Sequence, residues 1–239
     1  METTKNGWTI LNADHGVLSR EYSFAPGALA RTMVARQRDG ELLIISPPND
    51  IDDAAIADLA QFGKVTSIIA NNGMHHLGLP VFSRVFPEAT LYAPQEAIAR
   101  ISKKQPTLKE LRPLAELASQ LTGATRVHSV PGFSIGEGWV TVKTEAGPIW
   151  YVGDSCFSMA ELPSKIVPRL LFKWANCAPG LRMNSLGNMF FLKDKSKYKT
   201  WMFEQLRAEL PSMLTTAHGE VLTSRDIGRS FKQLVEEKL

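Results

Sequence analysis

The sequence predicts a layered α/β fold, an αββα-like sandwich or another stacking of helices on sheets. Two observations predict it. The first part of the chain reads as strands, and from about residue 51 strands alternate with helical patterns, an order that lays helices over sheet faces. Several strands are short, continuous apolar runs, as expected for strands buried on both faces. Three of these runs stop just before a residue able to bind a metal. Ile68-Ile69-Ala70 leads to the adjacent pair His75-His76, Trp150-Tyr151-Val152-Gly153 leads to Asp154, and Met213-Leu214-Thr215-Thr216-Ala217 leads to His218. Enzymes with α/β folds gather distant residues at one rim of a sheet in this way.

Each element has its own signal. Strands over 32–35 and 42–45 flank Arg38-Asp39-Gly40, where Asp-Gly suits the positive φ angles of a tight hairpin. Ser46-Pro47-Pro48-Asn49-Asp50 breaks the chain. Ile51, Ala55, Leu59 and Phe62 then recur at helical spacing, and 65–70 is a buried-type strand. A short helix over 79–86 precedes a strand at 90–92. Helices follow over about 94–104 and 108–120, then a strand at 126–129. A hairpin joins 139–144 to 149–152 across Glu145-Ala146-Gly147-Pro148. The segment 163–199 carries Lys165, Arg169, Lys173, Arg182, Lys193, Lys195, Lys197 and Lys199 against the single acid Asp194, and is rich in Trp, Phe and Met. It reads as helices and loops laid across the core. A helix over 201–210 stops at Pro211, the last strand is 213–216, and Thr223 or Ser224 can cap a final helix over 226–237.

Composition narrows the classes. The chain has 239 residues, 44% hydrophobic and 21% charged, which suits a globular protein. A net charge of +3 does not call for nucleic acid. Cys156 and Cys177 make neither a disulfide framework nor a metal knuckle, so a reducing cytoplasm is the expected setting. No apolar stretch approaches the ~20 residues of a membrane helix, and the N-terminus lacks the pattern of a signal peptide.

The order of elements and the motifs together resemble the metallo-β-lactamase superfamily, the fold of glyoxalase II and lactonases. That family carries HxHxDHxG after an early strand, a PGHT turn, a strand ending in Gly-Asp and a last strand ending in His. Counted back from His76-Leu77-Gly78, the motif's aspartate falls on His75 and its first two histidines on Gly73 and Asn71. The PGHT turn reads Pro131-Gly132-Phe133-Ser134, the Gly-Asp is Gly153-Asp154, and the terminal histidine is His218. The His75-His76-Leu77-Gly78 tetrapeptide, with the stretch from Phe86 to Pro94 after it, is similar to a divergent branch of that superfamily.

The resemblance implies a four-layer αββα sandwich over residues 1–239, one domain with a basic, aromatic helical insertion at about 163–200. It implies that one family metal site is lost at Asn71, Gly73 and Phe133, and that the other is kept by His75, His76, Asp154 and His218. The expected cofactor is one divalent metal per chain, zinc first, with iron or manganese suited to the same ligands. The expected activity is metal-dependent hydrolysis of an ester, thioester, amide or phosphoester, with His75 and Asp154 as catalytic residues. The alternative is a non-catalytic protein that keeps the fold to bind a ligand or partner. The expected partner is a small, anionic molecule, and a homodimer is compatible. The segment 163–199 is expected to cover the site, with Trp174, Met183, Met189, Phe190 and Phe191 as an apolar wall and Lys173 or Arg182 meeting an anion. Its basic character has three readings: a solvated face, an anion-binding wall, or a membrane-surface patch around 167–174. His15 reads as a loop residue, His128 as a satisfied histidine, and Cys156 as a small buried hydrophobe.

Overall fold

Two β-sheets face one another, and each carries helices on its outer side. The computed structural model describes residues 1–38 and 40–239. The Asp39 of the expected Asp-Gly turn lies outside the described residues. The strands flanking it, β3 (Ala28–Arg38) and β4 (Glu41–Ile45), pair antiparallel as expected. With β1 (Thr9–Asn12), β2 (Val17–Ala25), β5 (Lys64–Ile69), β6 (Thr90–Ala93) and β7 (Leu111–Pro113) they form a seven-stranded sheet in sequence order. Its last four strands, β4 to β7, run parallel. Helices α1 (Asp53–Asp58), α2 (Leu79–Val85) and α3 (Gln95–Lys104) supply those crossovers.

The second sheet is ordered β13-β10-β9-β8, from β8 (Thr125–Ser129), β9 (Gly138–Val142), β10 (Ile149–Tyr151) and β13 (Met213–Thr215). Strands β10 and β13 are parallel neighbours although more than 60 residues of chain separate them. That connection holds a two-stranded ribbon of β11 (Cys156–Met159) and β12 (Gly180–Met183), with α5 (Ile166–Trp174), α6 (Ser185–Phe191) and α7 (Lys195–Ala208). Helix α4 (Leu114–Gln120) lies between the sheets' strands in sequence, and α8 (Ile227–Lys238) ends the chain.

Alternation along the strands builds three apolar layers. Leu42 and Ile44 face Leu59, Phe82, Ala97 and Ile101, while Leu43 and Ile45 face the second sheet's Val140, Ile149 and Tyr151. On the far side, Trp139, Trp150 and Val152 pack under Tyr198, Met202, Phe231 and Val235. The result is the αββα order that the sequence predicts.

Some boundaries differ. The expected helix over 108–120 begins at Leu114, because Leu111–Pro113 pairs with β6 as an edge strand. Pro113 ends that strand, where a missing N–H costs no ladder bond. Within 163–199 the chain also forms β12, which pairs with Cys156–Met159 in register Phe157↔Arg182. The helix expected over 201–210 starts at Lys195 and is capped by Asp194, whose carboxylate accepts from the Lys197 amide at 3.0 Å. The last helix takes Asp226, not Thr223 or Ser224, as its N-cap residue.

Candidate metal centre

The loops after β5, β10 and β13 bring His75, Asp154 and His218 to one rim. One ligand-type atom from each lies within 4.8 Å of the others. His75 Nε2 is 3.1 Å from Asp154 Oδ2, and His218 Nε2 is 3.3 Å from Asp154 Oδ1. The two imidazole rings meet edge to face at 5.4 Å.

The loop that presents His75 is organised by Asn72. Its Nδ2 donates to Asp154 Oδ2 at 2.8 Å and to Glu137 Oε2 at 3.1 Å, which uses both hydrogens and fixes the amide's orientation. Its Oδ1 then accepts from the Met74 amide at 2.8 Å and the His75 amide at 3.3 Å. Downstream, Gly78 packs against the backbone of Pro47 and Pro48 so closely that any Cβ would collide with it. That approach brings Ser46 to His75: Ser46 Oγ lies 2.6 Å from His75 Nδ1 and 3.3 Å from Tyr22 Oη.

Asp154 rests on Glu137, whose Oε1 accepts the Asp154 amide at 2.9 Å. Gly153, at φ 53°, makes this possible, since a side chain there would strike the Glu137 carboxylate and the Asn71 amide. Burial, helped by the neighbouring Asp154 charge, pushes Glu137 well above the usual carboxylate range. Burial would raise Asp154 too, but the charge on His75 and hydrogen bonds from His218 and His75 outweigh it and hold Asp154 well below that range. Two adjacent carboxyl groups therefore share one negative charge, and Asp154 carries it.

His218 follows β13, whose exit is pinned by Ala217. The Ala217 carbonyl accepts from the Arg31 amide at 2.7 Å, and its amide donates to Gly153 O at 2.8 Å. Arg31 Nε donates to Gly219 O at 2.8 Å. His218 Nδ1 lies 2.7 Å from the Leu29 carbonyl. Burial would lower the His218 pKa, but the bond and charge of Asp154 and the Leu29 carbonyl outweigh it and raise it.

This arrangement bears on metal binding through one detail. A carbonyl can only accept, so His218 Nδ1 carries a proton, and in the neutral ring Nε2 presents a lone pair to Asp154 Oδ1. Apart from the His218 ring itself, no donor reaches Asp154 Oδ1 among the described residues. Two lone pairs facing each other need a cation between them, either a proton on the ring or a metal ion. Histidine ligands in metal sites have their remote nitrogen bound to a carbonyl or carboxylate in the same manner. The donor set fits a divalent ion.

His76, read from the sequence as a fourth ligand, does not join this group. Its Nδ1 faces Gln105 Nε2 at 3.2 Å, and burial together with Arg100 and Lys104 lowers its pKa. The turn aims consecutive side chains in different directions, so His75 meets Asp154 while His76 turns toward α3. Phe133 lies in the third apolar layer, edge to face with Tyr198 at 5.0 Å. Asn71 and Gly73 are buried beneath the His75 loop.

A cavity of about 380 Å³ opens over the cluster, walled by Tyr22, Phe24, Ala30, Asn49, Met74, His76 and Leu77. Its walls come from the β2–β3 hairpin, the His75 loop and Asn49 in the segment after β4. None of Trp174, Met183, Met189, Phe190, Phe191, Lys173 or Arg182 lines it, which corrects the expectation that 163–199 forms the wall. The reason is topological. The ribbon of β11 and β12 carries that segment outward, and its link to the site is a stack: Phe172 lies on Phe157 at 5.5 Å, and Phe157 meets the His218 ring edge-on at 5.5 Å.

Sequence reasoning missed Asn72, Glu137 and Ser46. Glu137 had a signal, as a lone acid between two glycines in an otherwise apolar stretch, Ile135 to Val140. Ser46 had one too, since it ends the apolar strand Leu42 to Ile45 just as His75, Asp154 and His218 follow theirs.

The fold is that of solved metallo-β-lactamases. The chain superposes on TMB-1 with a TM-score of 0.60 at 16% identity, covering 97% of this chain and 98% of that one. For the DIM-1 metallo-β-lactamase the score is 0.59 at 9% identity, with 98% and 99% covered. For FIM-1 from Pseudomonas aeruginosa, solved in a mono-zinc form, it is 0.61 at 12% identity, with 99% and 97% covered. No family model and no curated protein matches the sequence.

Proposed function

Taking the metallo-β-lactamase fold as premise, we propose that this chain is a metal-dependent hydrolase whose single divalent ion, zinc first and iron or manganese next, is held by His75, Asp154 and His218. One observation carries the reading: two imidazole nitrogens converge on one half-buried, ionised carboxylate, with the far nitrogen of each ring already secured by Ser46 or the Leu29 carbonyl. A bound ion would supply Lewis acidity for polarising a carbonyl or phosphoryl oxygen and for acidifying water.

The residues around it have distinct tasks. Asp154 supplies the negative charge, and Glu137 stays protonated beneath it. His75 is held at both nitrogens, by Ser46 and toward Asp154, so the reading makes it a ligand and not a base. The Tyr22 hydroxyl, pushed up to about 12 by burial and by Asp154, remains protonated and braces Ser46. Phe24, Ala30, Met74 and Leu77 exclude water and suit an apolar substituent on the substrate. The cationic side chains Lys173 and Arg182 lie off this wall, so an anionic substrate is not part of the proposal.

The test is metal analysis of protein purified without added metal, then equilibrium dialysis against zinc. About one ion per chain is expected, lost in Asp154→Asn and His218→Ala with the fold intact by circular dichroism. A panel of esters, thioesters, amides and phosphodiesters then seeks turnover. No retention of zinc by the wild-type chain would overturn the proposal. It would favour the second reading, a ligand-binding protein on this fold, which rests on Asn71, Gly73 and Phe133 standing where the family places metal ligands.

A further inference from the structure

Helix α5 is built inside out. Its sequence, Ile166-Val167-Pro168-Arg169-Leu170-Leu171-Phe172-Lys173-Trp174, contains no buried residue. Ile166 is 75% exposed, Val167 68%, Leu170 61%, Leu171 48% and Trp174 73%. At 3.6 residues per turn these five positions share one arc of about 140°. The opposite side holds Pro168 and Phe172, four residues apart and less exposed, and Phe172 is the residue stacked on Phe157. Thus the helix is anchored by its narrow inner edge and turns its broad apolar face to the outside. A soluble surface rarely shows so many large apolar side chains together without a use for them.

The charges beside this face indicate what it meets. Arg169 and Lys173 lie one turn apart at its border, Lys165 precedes the helix, and α5 carries no acidic residue. All three cations are exposed. An apolar arc that includes a Trp, with Lys or Arg alongside, is the pattern of a helix lying in the plane of a membrane interface. Its cations complement phosphate-bearing headgroups, whereas a second copy of the same face would bring like charges together. Among the described residues no helix is long and apolar enough to cross a membrane, so the contact is peripheral.

We infer that α5 docks this protein on an anionic lipid bilayer, with Ile166, Val167, Leu170, Leu171 and Trp174 among the acyl chains and Lys165, Arg169 and Lys173 at the headgroups. The docking element adjoins the site. Phe172 reaches His218 through Phe157, and the tip of the β2–β3 hairpin at Gly27 lies beside Ser164, just before the helix. The inference does not depend on the chemistry proposed for His75, Asp154 and His218.

The experiment is sedimentation of the full chain with phosphatidylcholine vesicles, with and without phosphatidylglycerol, at low and high salt. Binding is expected on the anionic vesicles and should weaken with salt. A blue shift in tryptophan emission should accompany it and vanish in Trp174→Phe. Leu170→Glu with Leu171→Glu should reduce partitioning at least about tenfold. Arg169→Gln with Lys173→Gln should do so by roughly tenfold on anionic vesicles and little on neutral ones. All four side chains are exposed, so unchanged thermal unfolding is the control for folding. Failure of the wild-type chain to bind anionic vesicles would overturn the inference. So would self-association in lipid-free buffer that shifts the Trp174 emission, because a second copy would then cover the face.

Discussion

Replacing Asn72 by leucine keeps the volume of the side chain nearly constant and removes its polar atoms. Four hydrogen bonds go: to Asp154 at 2.8 Å, to Glu137 at 3.1 Å, from Met74 at 2.8 Å and from His75 at 3.3 Å. The bond to the ionised Asp154 contributes about 1.5–3 kcal/mol, and those to Glu137 and the Met74 amide about 0.5–1.5 each. The longest bond adds little. The expected loss is about 3–5 kcal/mol, against a total stability of roughly 5–15 kcal/mol for a natural domain. For a chain of this size that lowers Tm by roughly 6–20 °C. Urea unfolding followed by tryptophan fluorescence, with a chelator present so that metal does not contribute, measures it. Asn72→Asp is the second arm. It places a carboxylate where the amide donates to Asp154, so it should be no more stable than Asn72→Leu at neutral pH. It should recover stability as acid protonates the new group and restores a donor. A loss below about 1 kcal/mol for leucine, or wild-type stability for Asn72→Asp at neutral pH, would refute this account of the loop.

Three further outcomes are expected. Gly153→Ala forces a Cβ into the Glu137 carboxylate at a positive φ and should cost about 2–4 kcal/mol by thermal unfolding, whereas an unchanged melt would mean the Glu137 contact is absent. Arg31→Met leaves the Gly219 carbonyl and Ser19 hydroxyl without the guanidinium; chemical unfolding should show a loss of about 2–3 kcal/mol, with zinc retention falling in parallel. Burial, with Arg126 nearby, lowers the His128 pKa from 6.5 to about 4. Its neutral form thus favours the fold above pH 6.5, and that contribution, at most about 3 kcal/mol, is lost as pH falls toward 4. His128→Gln should flatten the acid limb of stability against pH, and an unaltered limb would show that His128 is not its source.

The legible parts of this chain were those in which burial leaves a period in the sequence. Strands β5 and β10 are buried on both faces, so their apolar runs stand out, and the polar residues that follow them mark the rim. Strand β7 was hidden inside a helical pattern because only its partner β6 makes Leu111 to Pro113 a strand. The site was legible as three positions. Whether His75 or His76 faces Asp154 depends on which amides the Asn72 oxygen accepts, and spacing along the chain does not encode that. Glu137 was obscured for a related reason. A buried acid is recognisable only beside the donors that tolerate it, and Asn72 and the Asp154 amide lie 65 and 17 residues away in sequence. Helix α5 shows a further limit. Its pattern reveals two faces, but the choice of which face turns inward is made by Phe157, in another element.

The parallel pairing of β10 and β13 carries an evolutionary consequence. Asp154 and His218 are set side by side by strand register, Tyr151 against Thr215, and by the amide of Ala217 on Gly153. That register is made by β10 and β13 themselves, with β11 bonded alongside through the Ser158 amide on the His218 carbonyl. Within the intervening stretch, Asn184, which donates to the Asp154 carbonyl at 2.9 Å, and Phe172, stacked on Phe157 beside His218, are tied to the rim, but the outer face of α5 is free to change its chemistry under selection while Asp154 and His218 keep their spacing. Descendants of this protein can move from one surface to another by rewriting the outward positions Ile166, Val167, Leu170, Leu171 and Trp174, and their rim would not record the change.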